Sequence, residues 1–224
     1  MIAIIGSNGL VGSYLKEAVN YTHEFNSNNI DDLSNYSFDL VYIAAPSGNR
    51  LIANADPKGD LASTQLLIEN LRRTSIDRVI LIGTVDSVLR NHLPYGRNRL
   101  WLEEQIMYYF ENSYVLRLGA LIHKNIKKNV LYDFKHRVYL DKINLDTAMQ
   151  WYDLTNLKSD IEYSVKYNIQ IRNLVSENIS NREIVEKFFP LLSLKYEYNA
   201  RVSLAPWIYT KQDIFHAMEK YLHE

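Results

Sequence analysis

The chain has 224 residues, 47% of them apolar and 23% charged, with a net charge of −1 at pH 7. That is an ordinary globular composition, and it fits one domain or one domain with a small appended lobe. The near-zero charge excludes broad electrostatic attraction to nucleic acid or an anionic membrane, and the lack of cysteine excludes disulfides, thiolate catalysis and Cys-based zinc sites. No run of about 18 apolar residues occurs, so no membrane span is expected. No leader is expected either, because residue 2 already enters a strand, and the cytoplasm is the expected compartment.

In chain order, residues 2 to 5 (IAII) predict a strand and residues 10 to 20 a helix. THEFN, residues 22 to 26, predicts a short second strand. NSNNIDDLSNYS is polar and turn-rich, with room for at most one helical turn. FDLVYIAA, residues 38 to 45, predicts a continuous strand buried on both faces. Residues 60 to 73 have helical periodicity, with Leu61, Leu66, Leu67, Ile68 and Leu71 apolar. RVILIGT, residues 78 to 84, predicts another buried strand, residues 95 to 110 a long helix, and SYVLRLGAL, residues 113 to 121, a further strand. Strands alternating with helices predict a parallel α/β sheet covered on both faces. After residue 122 the pattern changes. A loop leads into a helix at IHKNIKKNVLYDF, and WYDLTNLKSDIEYSV starts as a strand or turn and continues as a helix. IQIRNLV predicts a strand. SNREIVEKFF predicts a helix with Ser180 and Glu183 as a capping box, and the last helix has Thr210 as its cap. The division expected is a core over residues 1 to about 122 and a small lobe over 123 to 224, folded against the sheet.

The chemistry concentrates at three places. The first is the turn GSNGLVG, where Gly6, Gly9 and Gly12 follow a strand and open a helix. Gly6 lets the chain turn, Gly9 leaves the backbone open to a phosphate, and Gly12 lets the helix pack closely. The helix start adds unpaired N–H donors and a partial positive charge. Asn8, Leu10 and Val11 complete this turn. The second is Thr84, at the end of a predicted strand, where ligands of parallel sheets collect. The third is Tyr95, four residues before Arg99 and so on the same helix face. A Tyr/Arg pair at that spacing is most often a surface or stacking pair; its coincidence with the other two places gives it weight. Glu103 and Glu104 read as a solvated face. The six histidines have no metal-ligand spacing, so no metal is expected. KNIKK, residues 124 to 128, reads first as a solvated helix start and second, with Asn129, as a clamp on substrate phosphates.

The segments GSNGLVG, VYIAAPS, ADP, LIGTVD, YGRNRLWLEE and YVLRLGAL resemble, in order, the extended short-chain dehydrogenase/reductase superfamily. Within it they resemble the NAD(P)-dependent epimerase/dehydratase group, and the short length and the YGRNRLWLEE run look most like the dTDP-4-dehydrorhamnose reductase type. The resemblance implies a Rossmann-type parallel sheet with helices on both faces and a small C-terminal substrate lobe. It also implies an oxidoreductase or epimerase acting on a nucleotide-activated sugar. Tyr95 would be the general acid/base, Thr84 would hold the same substrate oxygen, and Arg99 would stand where the family has lysine. There Arg99 would lower the Tyr95 pKa and bind ribose hydroxyls, without relaying a proton. The cofactor contacts implied are Gly6, Asn8, Gly9, Leu10, Val11, Gly12, Asn26, Ser27, Ala44, Ala45, Tyr95 and Arg99.

The cofactor expected is NAD or NADP. The second strand ends in FNSNN, with neither the acidic residue typical of NAD sites nor the arginine typical of NADP sites. NAD is favoured because no Lys or Arg lies between Lys16 and Arg50. Specificity is expected in residues 85 to 94 and in the lobe, with Pro46, Ser47, Asn49, Trp151 and Arg172 as pocket candidates. Family members pair through the helix bearing the tyrosine, which makes a homodimer through Trp101, Tyr108 and Tyr109 an expectation. A second expectation, from Arg99 and the short length, is a non-catalytic NAD(P)-binding sensor. A third, weaker one is another nucleotide in the turn; no G-K-[ST] follows it, which argues against an ATPase P-loop.

Overall fold

The structure is a computed structural model and describes residues 1–192 and 205–224. It comprises two compact units, one of Met1–Arg117 with Leu157–Arg172, the other of Leu118–Asn156 with Asn173–Glu224. The helix near residue 160 thus belongs with the N-terminal unit.

In chain order the first unit opens with β1 (Ile2–Ile5), α1 (Leu10–Ala18) and β2 (His23–Phe25). A 3-10 helix, Ile30–Asn35, leads to β3 (Ser37–Phe38) and β4 (Leu40–Ile43). Then come α2 (Arg50–Ala55), α3 (Pro57–Arg72), β5 (Ser75–Ile76), β6 (Val79–Thr84), α4 (Asp86–Leu89), α5 (Pro94–Tyr109) and β7 (Ser113–Leu118). The remaining chain carries β8 (Ala120–Ile122), α6 (Val130–His136), β9 (Ala148–Asp153), α7 (Leu157–Lys166), β10 (Ile171–Leu174), β11 (Asn178–Ser180), α8 (Asn181–Phe188) and α9 (Lys211–His223).

The main sheet has the order β10-β7-β6-β4-β1-β2, and β1 runs parallel to β2 and β4, and β4 to β6. Its central strands are apolar without alternation because both faces are covered: Ala3, Ile4, Val41, Ile43, Val79 and Ile80 have no exposed surface. The chain steps from β1 outward to β2, then crosses back to β4 on the other side of β1. The β1/β4 junction is therefore the topological switch point, where doubly wound sheets open a crevice at their carboxyl ends.

Three local expectations are corrected. The strand expected over 38 to 45 is two. Ser37–Phe38 pairs with Ser75–Ile76 in a separate ribbon, and only Leu40–Ile43 joins the main sheet. The strand expected over 113 to 121 breaks at Gly119. A Cβ there would lie 2.4 Å from the Gln150 carbonyl oxygen, and beyond it β8 enters another sheet. The helix expected from residue 60 starts at Pro57, because Asp56 Oδ1 accepts the Gly59 N–H at 3.0 Å and proline suits the first helical position. No element is predicted over residues 50–55, and α2 carries no apolar period: only Ala53 is buried, while Leu51 and Ile52 are 84% and 65% exposed.

The second unit is built on a three-stranded sheet, β11-β9-β8, antiparallel at β9/β11 and parallel at β8/β9. Trp151, Tyr152, Phe134 and Met218 are buried in this unit. Buried Gln150 is satisfied by backbone: Nε2 donates to the Ser176 and Ala205 carbonyls, and Oε1 accepts the Ala205 N–H. Both expected caps form, as Ser180/Glu183 and Thr210/Asp213 capping boxes. No helix among the described residues is long and apolar enough to cross a membrane.

Candidate active site

The glycine turn is built at the switch point. Gly6 has φ +84°, a left-handed conformation open to glycine. A Cβ on it would sit 2.4 Å from the Ala44 carbonyl oxygen, so the turn after β1 lies directly against the chain leaving β4. Its N–H and that of Ser7 donate to the Phe25 carbonyl, at 2.8 and 3.3 Å, which ties the turn to the end of β2. A Cβ on Gly12 would lie 2.1 Å from the Gly6 carbonyl oxygen, whereas one on Gly9 would meet nothing closer than 3.4 Å. The two glycines therefore do different work: Gly12 allows α1 to pack on the turn, and Gly9 keeps its outer side open. Gly9 caps α1 without a side chain, and the first turn has no acidic residue. The early N–H groups, on Leu10, Val11 and Gly12, are left for an anion. The Ser7 hydroxyl is buried and has no hydrogen-bond partner among the described residues. This cradle fits a dinucleotide pyrophosphate in shape and charge.

At the end of β2, Asn29 Oδ1 accepts the Asn26 N–H at 2.8 Å and Asn26 Oδ1 accepts the Asn28 N–H at 2.9 Å. Asn26 thus shapes the loop through its own side chain, and Ser27 is exposed on it. Ala44 and Ala45 follow β4, and the Ala44 N–H donates to the Ile5 carbonyl at 2.8 Å.

Thr84 ends β6, and its hydroxyl oxygen accepts the Asp86 N–H at 3.3 Å. The Thr84 side chain also acts on the Tyr95 phenol, favouring its ionised form. Tyr95 stands in the first turn of α5 and is 6% exposed. Gly96 beside it permits close approach of α4: a Cβ there would lie 2.3 Å from the Arg90 carbonyl. Burial pushes the Tyr95 pKa up, and Asp86 adds to this. Arg99, Arg50 and Thr84 pull the other way without reversing it. The phenol is therefore held neutral, with Thr84 stabilising the phenolate whenever it forms.

Arg99 lies over the Tyr95 ring, its guanidinium carbon 4.6 Å from the centroid, as the four-residue spacing requires. Both Nη atoms donate to Asp60, at 3.0 and 2.7 Å, and Nη2 also donates to the Ser47 carbonyl at 2.9 Å. Asp60 also accepts from Asn98 Nδ2 at 2.8 Å. The cation is thus closed by a carboxylate on α3, a partner that sequence reasoning missed because 39 residues separate the two.

Other candidates fall in different places. Glu103 is corrected: it is not solvated but 2% exposed, with Arg117 Nε and Nη2 donating to its Oε2 at 2.9 and 2.7 Å. Burial raises its pKa against the pull of Arg117. Glu104 is exposed. Asn129 caps α6, and its Nδ2 donates to the Leu121 carbonyl. Trp151 is fully buried, and Arg172 pairs with Asp160 at 3.1 Å. Trp101 packs partly against the core, whereas Tyr108 is 79% exposed.

A doubly wound sheet with a glycine cradle at its switch point defines the Rossmann type of α/β protein. No protein-family model matches the sequence, and no curated protein matches it significantly. Solved structures do match in fold. The dTDP-4-dehydrorhamnose reductase of Yersinia enterocolitica is similar over 99% of this chain and 98% of its own, with TM-score 0.73 and 14% identity. The L-threonine dehydrogenase of Phytophthora infestans is similar over 99% and 97%, with TM-score 0.74 and 14% identity. MoeE5, solved in complex with UDP-glucose and NAD, gives the same coverage, TM-score and identity.

Proposed function

We propose that this chain is an NAD(P)-dependent oxidoreductase or epimerase acting on a nucleotide-activated sugar. The observation that carries the reading is the placement of Thr84 at the carboxyl end of β6 and buried Tyr95 in the first turn of α5, where Thr84 favours the ionised phenol, in a sheet whose first strand opens into the glycine cradle. The fold-level likeness to a structure solved with UDP-glucose and NAD supports the choice of ligands.

In this reading Gly6, Asn8, Gly9, Leu10, Val11 and Gly12 hold the pyrophosphate. Asn26 and Ser27 meet the adenosine ribose, and Ala44 and Ala45 flank the dinucleotide. NAD is favoured over NADP, since the loop after β2 carries no cation for a 2′-phosphate. The bound nicotinamide supplies or accepts a hydride. Tyr95, kept neutral by burial, donates its proton to the substrate oxygen as a carbonyl becomes an alcohol, and recovers it from solvent. Thr84 steadies the phenolate in between. Arg99 contributes by stacking on the Tyr95 ring, since its nitrogens are held by Asp60 and Ser47. We further assign the chain to the cytoplasm and to a homodimer through α5, where Tyr108 is exposed.

The closed Arg99–Asp60 pair favours one other reading, a non-catalytic NAD(P)-binding sensor. The Tyr95→Phe variant separates the two. The enzyme reading expects unchanged dinucleotide affinity and a loss of turnover of about 10²-fold or more. Tight dinucleotide binding with no oxidation of NAD(P)H across a panel of sugar nucleotides supports the sensor.

A further inference from the structure

Gly48 is a glycine that its own φ does not require. Among the described glycines only Gly6 has a positive φ, so a side chain at residue 48 meets no left-handed strain. In an exposed loop such a glycine lowers stability, because it leaves the unfolded chain more conformations to lose. Close approach of backbone does not require it either. A Cβ on Gly6, Gly12 or Gly96 would come within 2.4 Å of a carbonyl oxygen. Apart from its chain neighbours, a Cβ on Gly48 would have one atom within 4 Å, the Tyr95 phenol oxygen, at 4.0 Å. The missing side chain therefore faces open space beside the proposed proton donor.

The loop that carries Gly48 is pinned on both sides. The Ala44 N–H donates to the Ile5 carbonyl at 2.8 Å, so the loop leaves β4 against the glycine turn. The Ser47 carbonyl accepts Arg99 Nη2 at 2.9 Å, and that guanidinium lies over the Tyr95 ring. Asn49 caps α2, its Oδ1 accepting the Ile52 N–H at 3.4 Å, and its own N–H donates to Ser47 Oγ at 3.3 Å. Further along α2, Asn54 Oδ1 accepts the Tyr95 N–H at 2.9 Å. The chain before and after Gly48 is thus tied to the helix turn whose phenol it faces. A loop shift that closed the space would break these bonds.

We infer that Gly48 is a specificity-determining position: the sugar ring, where it flanks the reacting carbon, lies over this residue against the Tyr95 phenol oxygen. The inference rests on Tyr95 as the proton-transfer group and deepens that reading. Tyr95 is 6% exposed, whereas Gly48 is exposed, so the phenol is approached past the glycine. A ring carbon carries a substituent on each side, and glycine is the residue that leaves width for one of them within contact of the phenol. Any larger residue there projects into that width. It would discriminate between substrates by shape and leave the distant nucleotide part untouched.

The test uses the full chain labelled with ¹³C in its tyrosine rings, the Tyr95 signal being identified by its loss in Tyr95→Phe. A small neutral nitroxide in the buffer broadens the rings it can reach. Gly48→Val is expected to lessen the broadening at Tyr95 and to leave the other tyrosines unchanged. UDP-glucose and UDP are then titrated calorimetrically with NAD present. Gly48→Val is expected to weaken UDP-glucose binding by about tenfold, and Gly48→Ala by less. Affinity for UDP and NAD should be unchanged in both variants, and the melting temperature equal or slightly higher. Equal broadening in the natural chain and Gly48→Val, equal UDP-glucose affinity, or parallel loss of UDP and UDP-glucose overturns the inference. So does a lowered melting temperature in both variants, since the backbone would then require the glycine. If the natural chain binds no UDP-glucose, the broadening decides: a Tyr95 shielded by the valine upholds Gly48 and places the failure in the sugar-nucleotide reading.

Discussion

Tyr95 shows how burial and charge settle one proton. Desolvation dominates at this phenol, so its neutral form persists above the ordinary tyrosine value of about 10. Carbonyl-reducing activity should accordingly stay level through neutral pH and fall only in strongly alkaline buffer. A descending limb near pH 7, measured as kcat against pH, would contradict the assignment. Glu103 obeys the same rule with opposite consequence. Its pKa is raised by burial, so its contribution to stability is present below the ordinary carboxylate range and is lost as pH rises through the folded value. Arg117 offsets that loss. The Arg117→Met variant should therefore be destabilised by about 3 kcal/mol at about pH 8 and by clearly less at about pH 4.5, as read from urea unfolding at both pH values. An equal deficit at the two would rule out ionised Glu103 as the cause. At this scale the sequence allowed the Tyr95–Arg99 stack to be read, because helix geometry sets it locally. It hid Asp60 under Arg99 and Arg117 against Glu103, because each pair joins elements distant in the chain.

Single glycines decide how α1 meets the sheet. Gly12→Ala forces a Cβ to 2.1 Å from a carbonyl oxygen, while Gly9→Ala places one in near-open space at 3.4 Å. Gly12→Ala should lower the melting temperature and weaken dinucleotide binding together. Gly9→Ala should leave the melting temperature nearly unchanged and weaken binding alone, since its methyl would enter the space proposed for the dinucleotide. Calorimetric titration and thermal melts on both variants check this, and identical behaviour would refute the division of labour. The elements most readable in advance were those with a local cause: the fully apolar central strands, the Ser180 capping box and the Thr210 cap. Ser180→Ala should cost about 1 kcal/mol, measurable in thermal or urea melts. Less readable was α2, whose outward Leu51 and Ile52 follow no core period. The hand-over at Gly119 was also hidden, because strand propensity continues through a point where the chain changes sheets.

The chain as a whole does not divide at one point. Leu157–Arg172 belongs to the unit formed by the first 117 residues, and the Val115 N–H donates to the Gln170 carbonyl at 2.7 Å. Periodicity marks helices and strands one at a time and carries no record of which unit a returning segment joins. A fragment ending at residue 117 should thus lack an edge of its sheet and fail to unfold cooperatively, as followed by circular dichroism. The central claim is that the amino-terminal turn holds a pyridine dinucleotide. Its most direct test is calorimetric titration of NAD and NADP into the full chain and, side by side, into Gly9→Val. Saturable binding of at least one dinucleotide to the natural chain, abolished by the valine, is predicted; absence of binding by both, or equal binding to the variant, would contradict it.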